Sequence, residues 1–137
     1  MLRQPACKIS STGKHMAKIL VVDDEPAILK FVVKILESRD HVVISAVDGV
    51  AGLEAAQREL PDVIVLDINL PRMDGLDVCR TIKGDDATKH IGVVLITAAY
   101  TSVDDASEGE GCGADEYVVK PFLREVLIHN VERLIPE

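Results

Sequence analysis

The sequence predicts an alternating α/β chain, a (βα)₅ unit wrapped around a parallel sheet. Two observations predict it. From residue 17 onward short apolar runs alternate with longer amphipathic stretches, the rhythm of βαβ units. Several of the runs are almost unbroken, as strands covered on both faces must be.

The expected strands are Ile19 to Val22, Val42 to Ile44, Val63 to Leu66, Val93 to Ile96 and the shorter Tyr117 to Val119. The first expected helix, Pro26 to Ser38, spaces Ile28, Phe31, Val32 and Ile35 along one helical face, and Pro26 suits a first turn. Val50 to Leu60, Gly75 to Lys83 and Phe122 to Leu134 repeat the pattern. The fourth helical position is weaker. Thr101 to Gly113 contains Gly109, Gly111 and Gly113, each costing about 1 kcal/mol relative to Ala inside a helix, so a short, frayed or mobile helix is expected there.

With 137 residues the chain falls within the usual size of one domain. Residues 1–15 stand apart in composition, and the His15-Met16 pair matches a common cloning junction. They are read as a leader or expression-derived tail, with residues 16–137 as the domain. An apolar content of 47% with 28% charged residues points to a globular protein, and no run approaches the roughly 18 apolar residues of a membrane span. Neither membrane insertion nor export is expected, which leaves the cytoplasm. Cys7, Cys79 and Cys112 are odd in number and lack Cys-x-x-Cys spacing, so they are read as reduced and structural. The net charge is −8, and direct nucleic-acid binding is not expected, because DNA affinity depends on neutralising phosphates with Lys and Arg.

Ligands of parallel α/β sheets bind at the carboxyl ends of the strands. Here the first strand ends in Asp23-Asp24, the third in Asp67, the fourth in Thr97 and the fifth in Lys120. Neighbouring strands would gather three carboxylates, a hydroxyl and an ammonium in one cleft. Clustered carboxylates repel one another unless a cation joins them, and hard oxygen ligands without imidazole or thiolate favour Mg²⁺. Such a site suits phosphoryl transfer, and a carboxylate can itself accept the group as an aspartyl phosphate. Lys120 and the metal could neutralise the transferred oxygens. Taken singly these residues have plainer readings. Asp23 or Asp24 could cap the next helix, Thr97 could be an ordinary β-branched strand residue, Lys120 a surface lysine, and Tyr117 a packed ring with a wet hydroxyl.

Four segments together, Lys18–Glu25 (KILVVDDE), Asp62–Gly75 (DVIVLDINLPRMDG), Ile96–Ala98 (ITA) and Gly113–Phe122 (GADEYVVKPF), resemble the receiver (CheY-like) domains of two-component response regulators. The resemblance covers residues 17–135. It implies a doubly wound flavodoxin-like sheet with strand order 2-1-3-4-5. It also implies that Asp67 takes phosphate from a sensor histidine kinase or a phosphotransfer protein. Asp24, Asp67 and the backbone carbonyl of Asn69 would ligate Mg²⁺, with Asp23 acting through a water. Thr97 and Tyr117 would move on phosphorylation, Lys120 would pair with the phosphoryl group, and the Lys120-Pro121 bond would be cis. The output would be read on the face of the fourth helix, fifth strand and fifth helix by a downstream protein or an output domain, from a monomer or a phosphorylation-dependent dimer. Such a chain is a phosphoacceptor switch and not an enzyme, assisting only its own phosphorylation and dephosphorylation.

Rival readings exist. A haloacid-dehalogenase-like phosphatase would need a second Asp two residues after the nucleophile, where Asn69 stands. An FMN carrier of flavodoxin type would meet the repulsion of Asp23-Asp24, and a degenerate receiver serving only as a binding module would not need the intact acidic site. The receiver resemblance further implies that Asn69 and Ala99 flank the path of a hydrolytic water, and small Ala99 cannot position that water through a polar group.

Overall fold

The computed structural model describes residues 16–97 and 112–136. Five strands, β1 (Lys18–Val22), β2 (Val42–Ala46), β3 (Val63–Asp67), β4 (Gly92–Thr97) and β5 (Glu116–Val119), form one parallel sheet in the order β2-β1-β3-β4-β5. The described helices are α1 (Pro26–Glu37), α2 (Gly49–Glu59), α3 (Gly75–Gly84) and a C-terminal helix (Arg124–Glu132). Of the weak helix expected over 101–113, all but Cys112 and Gly113 lies outside the described residues, and those two form a turn. The sheet order is the expected one.

Period-two alternation along the central strands divides the core. Leu20, Val22, Ile64, Leu66, Val93 and Leu95 face α2 and α3, where they meet Ala55, Ala56, Cys79 and Ile82. Ile19, Val21, Val63, Val65, Val94 and Ile96 face the opposite way, onto Val32, Ile35 and Leu36 of α1 and Leu127 and Val131 of the C-terminal helix. Every residue of β3 and β4 is buried, which is why those runs read as continuous. The edge strand β2 is largely uncovered, with Val42 at 51% exposure.

Helix boundaries follow local chemistry. Pro26 opens α1, while Asp48 accepts a hydrogen bond from the Ala51 amide at α2 and Asp74 from the Leu76 and Asp77 amides at α3. The helix expected from Phe122 begins two residues later at Arg124, and the Lys120-Pro121 bond before it is cis. At the amino ends of the strands, buried His41 accepts the Ala17 amide on Nδ1, so its Nε2 carries the proton and donates to Glu132, which also holds Arg39 through two bonds. This ties the C-terminal helix to the α1–β2 connection. The opposite end of the sheet is left to the functional groups.

Candidate functional site: an acidic cleft with a lysine

Parallel pairing brings the carboxyl ends of β1, β3, β4 and β5 to one rim. Asp23 follows β1 directly and is held there by its amide, which donates to the Ala46 carbonyl at 3.2 Å. Asp67 is the last residue of β3, 4% exposed and in register with Ile96 of β4. Thr97, also buried, ends β4, and its carbonyl accepts the Lys120 amide at 2.8 Å. That bond sets where Lys120 leaves β5.

The Lys120 ammonium is shared. Its Nζ lies 3.1 Å from Asp67 Oδ2, 3.5 Å from Glu25 Oε1 and 3.7 Å from Asp23 Oδ2. The other oxygen of Asp67, Oδ1, accepts the Asn69 amide at 3.0 Å, so the carboxylate plane is fixed from both sides. The loop beyond it, with Arg72 at φ 71°, closes where the Gly75 amide donates to the Ile68 carbonyl at 2.8 Å. A Cβ on Gly75 would sit 2.1 Å from the Asp67 carbonyl oxygen, so this approach requires glycine.

The electrostatics show a surplus of negative charge. Asp23 is pushed up from 3.8 to about 6, first by burial, against the pull of the Glu25 amide on its oxygen, with Asp67 adding repulsion. Partial burial draws the Lys120 pKa down, but the hydrogen bond to Asp67 and the three carboxylate charges outweigh it, and the net shift is upward. Lysine therefore stays cationic. One ammonium does not neutralise three carboxylates, and the donor set of carboxylate oxygens within 4.8 Å of one another fits a hard divalent cation.

Each described residue among those singled out from the sequence has a definite place. Asp23, Asp67 and Lys120 come together, with Thr97 beside them on β4. Tyr117, in register with Leu95, packs against the core on the α2 and α3 side. Asn69 is exposed, and so is Asp24, which lies outside the carboxylate group found among the described residues. Ala98 and Ala99 fall outside the described residues. Sequence reasoning passed over Glu25. The signal was available: in extended backbone residues two apart share a side, so Glu25, at φ −87° and ψ 111°, can follow Asp23 into the carboxylate group.

A family model for the response regulator receiver domain matches residues 19–132. The chain belongs to the response regulator receiver family. Receiver domains of this family act in two-component phosphorelay signalling, generally as phosphoacceptor switches, and bind Mg²⁺ at an acidic pocket. This receiver is similar to the DNA-binding dual master transcriptional regulator RpaA of Synechocystis, 39% identical over 120 residues, covering 88% of this chain and 49% of RpaA. It is 42% identical over 118 residues to the response regulator PleD of Caulobacter vibrioides, covering 86% of this chain and 26% of PleD. It thus spans about half of one relative and a quarter of the other. Among solved structures, the chemotaxis response regulator CheY4 of Vibrio cholerae superposes with a TM-score of 0.80 at 32% identity, covering 88% of this chain and 99% of CheY4. Among the described residues no helix is long and apolar enough to cross a membrane.

Proposed function

We propose that this receiver accepts a phosphoryl group on the Asp67 carboxylate from the phosphohistidine of a sensor histidine kinase or a phosphotransfer protein. The observation that carries this reading is the pairing of a buried carboxylate with a half-buried ammonium 3.1 Å away, flanked by a second buried carboxylate. A carboxylate oxygen of Asp67 forms the new O–P bond as the N–P bond of the donor breaks, and the imidazole leaves with the electron pair. Asn69 and Lys120 hold the attacking carboxylate in one plane, so little reorganisation is needed before attack. Lys120 stays charged and offsets the charge on the phosphoryl oxygens.

Magnesium, held by Asp24, Asp67 and the Asn69 backbone carbonyl with Asp23 acting through a water, would supply further charge neutralisation. Asp24, exposed beside Asp23, would complete that set and add its charge to the metal's hold. Thr97, at the end of the strand next to Asp67, is the hydroxyl that would approach a phosphoryl oxygen. Tyr117, two strands from Asp67, would move with it and carry the change to the face of β5 and its neighbouring helices, where a downstream protein or output domain would read it. The compartment that fits this role is the cytoplasm.

The test is to incubate the protein with Mg²⁺ and acetyl phosphate or beryllofluoride and locate the adduct by mass spectrometry or NMR. An adduct at Asp67 that is lost in Asp67→Asn supports the reading. An adduct that survives this substitution overturns it.

A further inference from the structure

Glu25 is the N-cap of α1, yet its side chain does no capping. Such positions favour short oxygen-bearing side chains that accept first-turn amides; Asp48 and Asp74 do this for α2 and α3, whereas the Glu25 carboxylate makes no cap bond. It reaches instead to 3.5 Å from Lys120 Nζ and joins Asp23 and Asp67 in a group of carboxylate oxygens within 4.8 Å. Its amide meanwhile donates to Asp23 Oδ1 at 2.9 Å. The main chain at this position orients one site carboxylate while the side chain engages the site ammonium.

We propose that Glu25 is a positioning and selectivity residue of this cleft: its carboxylate strengthens the pull on a divalent cation and screens Lys120 from small anionic phosphodonors in solution. The inference rests on the phosphoacceptor reading of Asp67 and adds to it a role for a residue that this reading does not use. A carboxylate at the rim has two effects of opposite sign. It adds negative charge where a metal binds, and it cancels part of the ammonium's charge as seen by an anion approaching from solvent. A phosphohistidine presented by a docked protein depends less on that long-range attraction, so the screening favours protein donors over free acyl phosphates.

Two variants separate the site from the helix. Glu25→Gln removes the charge at nearly constant shape, and Glu25→Ser removes it while supplying the missing N-cap, so it should be at least as heat-stable as the wild type. In both, calorimetric titration with Mg²⁺ alone should give about three- to tenfold weaker binding, the effect expected of one partly exposed charge nearby. At saturating Mg²⁺, transfer from acetyl phosphate to Asp67 should become about three- to tenfold faster. General loosening of the site would weaken both, so opposite signs mark the proposed role. Unchanged Mg²⁺ affinity in both variants, or a rate that stays level or falls, overturns it. The metal measurement needs no phosphorylation and decides against Glu25 independently of Asp67. Absence of any adduct in the wild type would instead count against the phosphoacceptor reading.

Discussion

Lys120 and Asp67, 53 residues apart in the chain, meet at 3.1 Å between Nζ and Oδ2 at the carboxyl end of the sheet. The contact exists because β4 lies between β3 and β5, and because the Lys120 amide is anchored on Thr97. It neutralises part of a charge that burial would otherwise make costly.

Replacing Lys120 by Met should therefore affect chemistry and stability together. Transfer from acetyl phosphate should slow by at least about tenfold, a rise of roughly 1.4 kcal/mol or more in the barrier. Removing the ammonium leaves Asp67 and Asp23 facing each other unpaired, so stability at pH 7 should fall by about 1–3 kcal/mol. Stopped-flow kinetics and urea unfolding read the two effects separately, and an unchanged rate would remove Lys120 from the proposed chemistry.

Asp23 should give the fold an unusual pH dependence. Its folded pKa is raised from 3.8 to about 6, so between these values the folded state binds more protons than the unfolded one. The contribution of this group to stability is thus most favourable below about pH 4 and declines as pH rises to about 6, beyond which the full cost is present. Asp23→Asn should remove that decline and raise the stability of the metal-free protein at pH 7 by about 1–3 kcal/mol. Urea unfolding of both proteins at pH 4.5, 5.5 and 7 checks it. A difference between them that does not grow with pH would contradict the assignment.

The two glycines that bound α3 should divide sharply. Gly75→Ala would place a Cβ 2.1 Å from the Asp67 carbonyl oxygen, a main-chain atom with little freedom to retreat. Destabilisation by more than about 2 kcal/mol is expected, with slower phosphorylation because the loop bearing Asn69 must shift. Gly84→Ala at the end of α3 meets nothing within 4 Å and should be neutral or stabilising by up to about 1 kcal/mol. Thermal unfolding of the pair is sufficient.

Much of this is legible in the sequence. The run Val63 to Leu66 announced a buried strand because both of its faces are covered, and Pro26 marked the start of α1 because its ring suits a first turn. The ends of the apolar runs pointed to Asp23, Asp67 and Lys120, since strand direction alone determines which rim they share. The illegible parts depend on side-chain direction or on contacts between distant segments. Glu25 was passed over because Asp23-Asp24 drew both the metal and the cap readings, although in extended backbone the residue two after Asp23 shares its side. Gly49 gave no sign that a Cβ there would strike the Met73 carbonyl at 1.7 Å, because α2 and the loop after β3 meet only in the folded chain. Leu60 likewise ends α2 in the left-handed region, at φ 46°, where sequence would favour glycine.

The most direct measurement is the mass of the intact protein, with the modified residue mapped, after incubation with Mg²⁺ and acetyl phosphate. One added phosphoryl group is expected, located on Asp67, labile to hydroxylamine, absent when Mg²⁺ is chelated and absent in Asp67→Asn. A protein that gains no phosphoryl group under these conditions, or gains it equally in Asp67→Asn, would contradict the central claim.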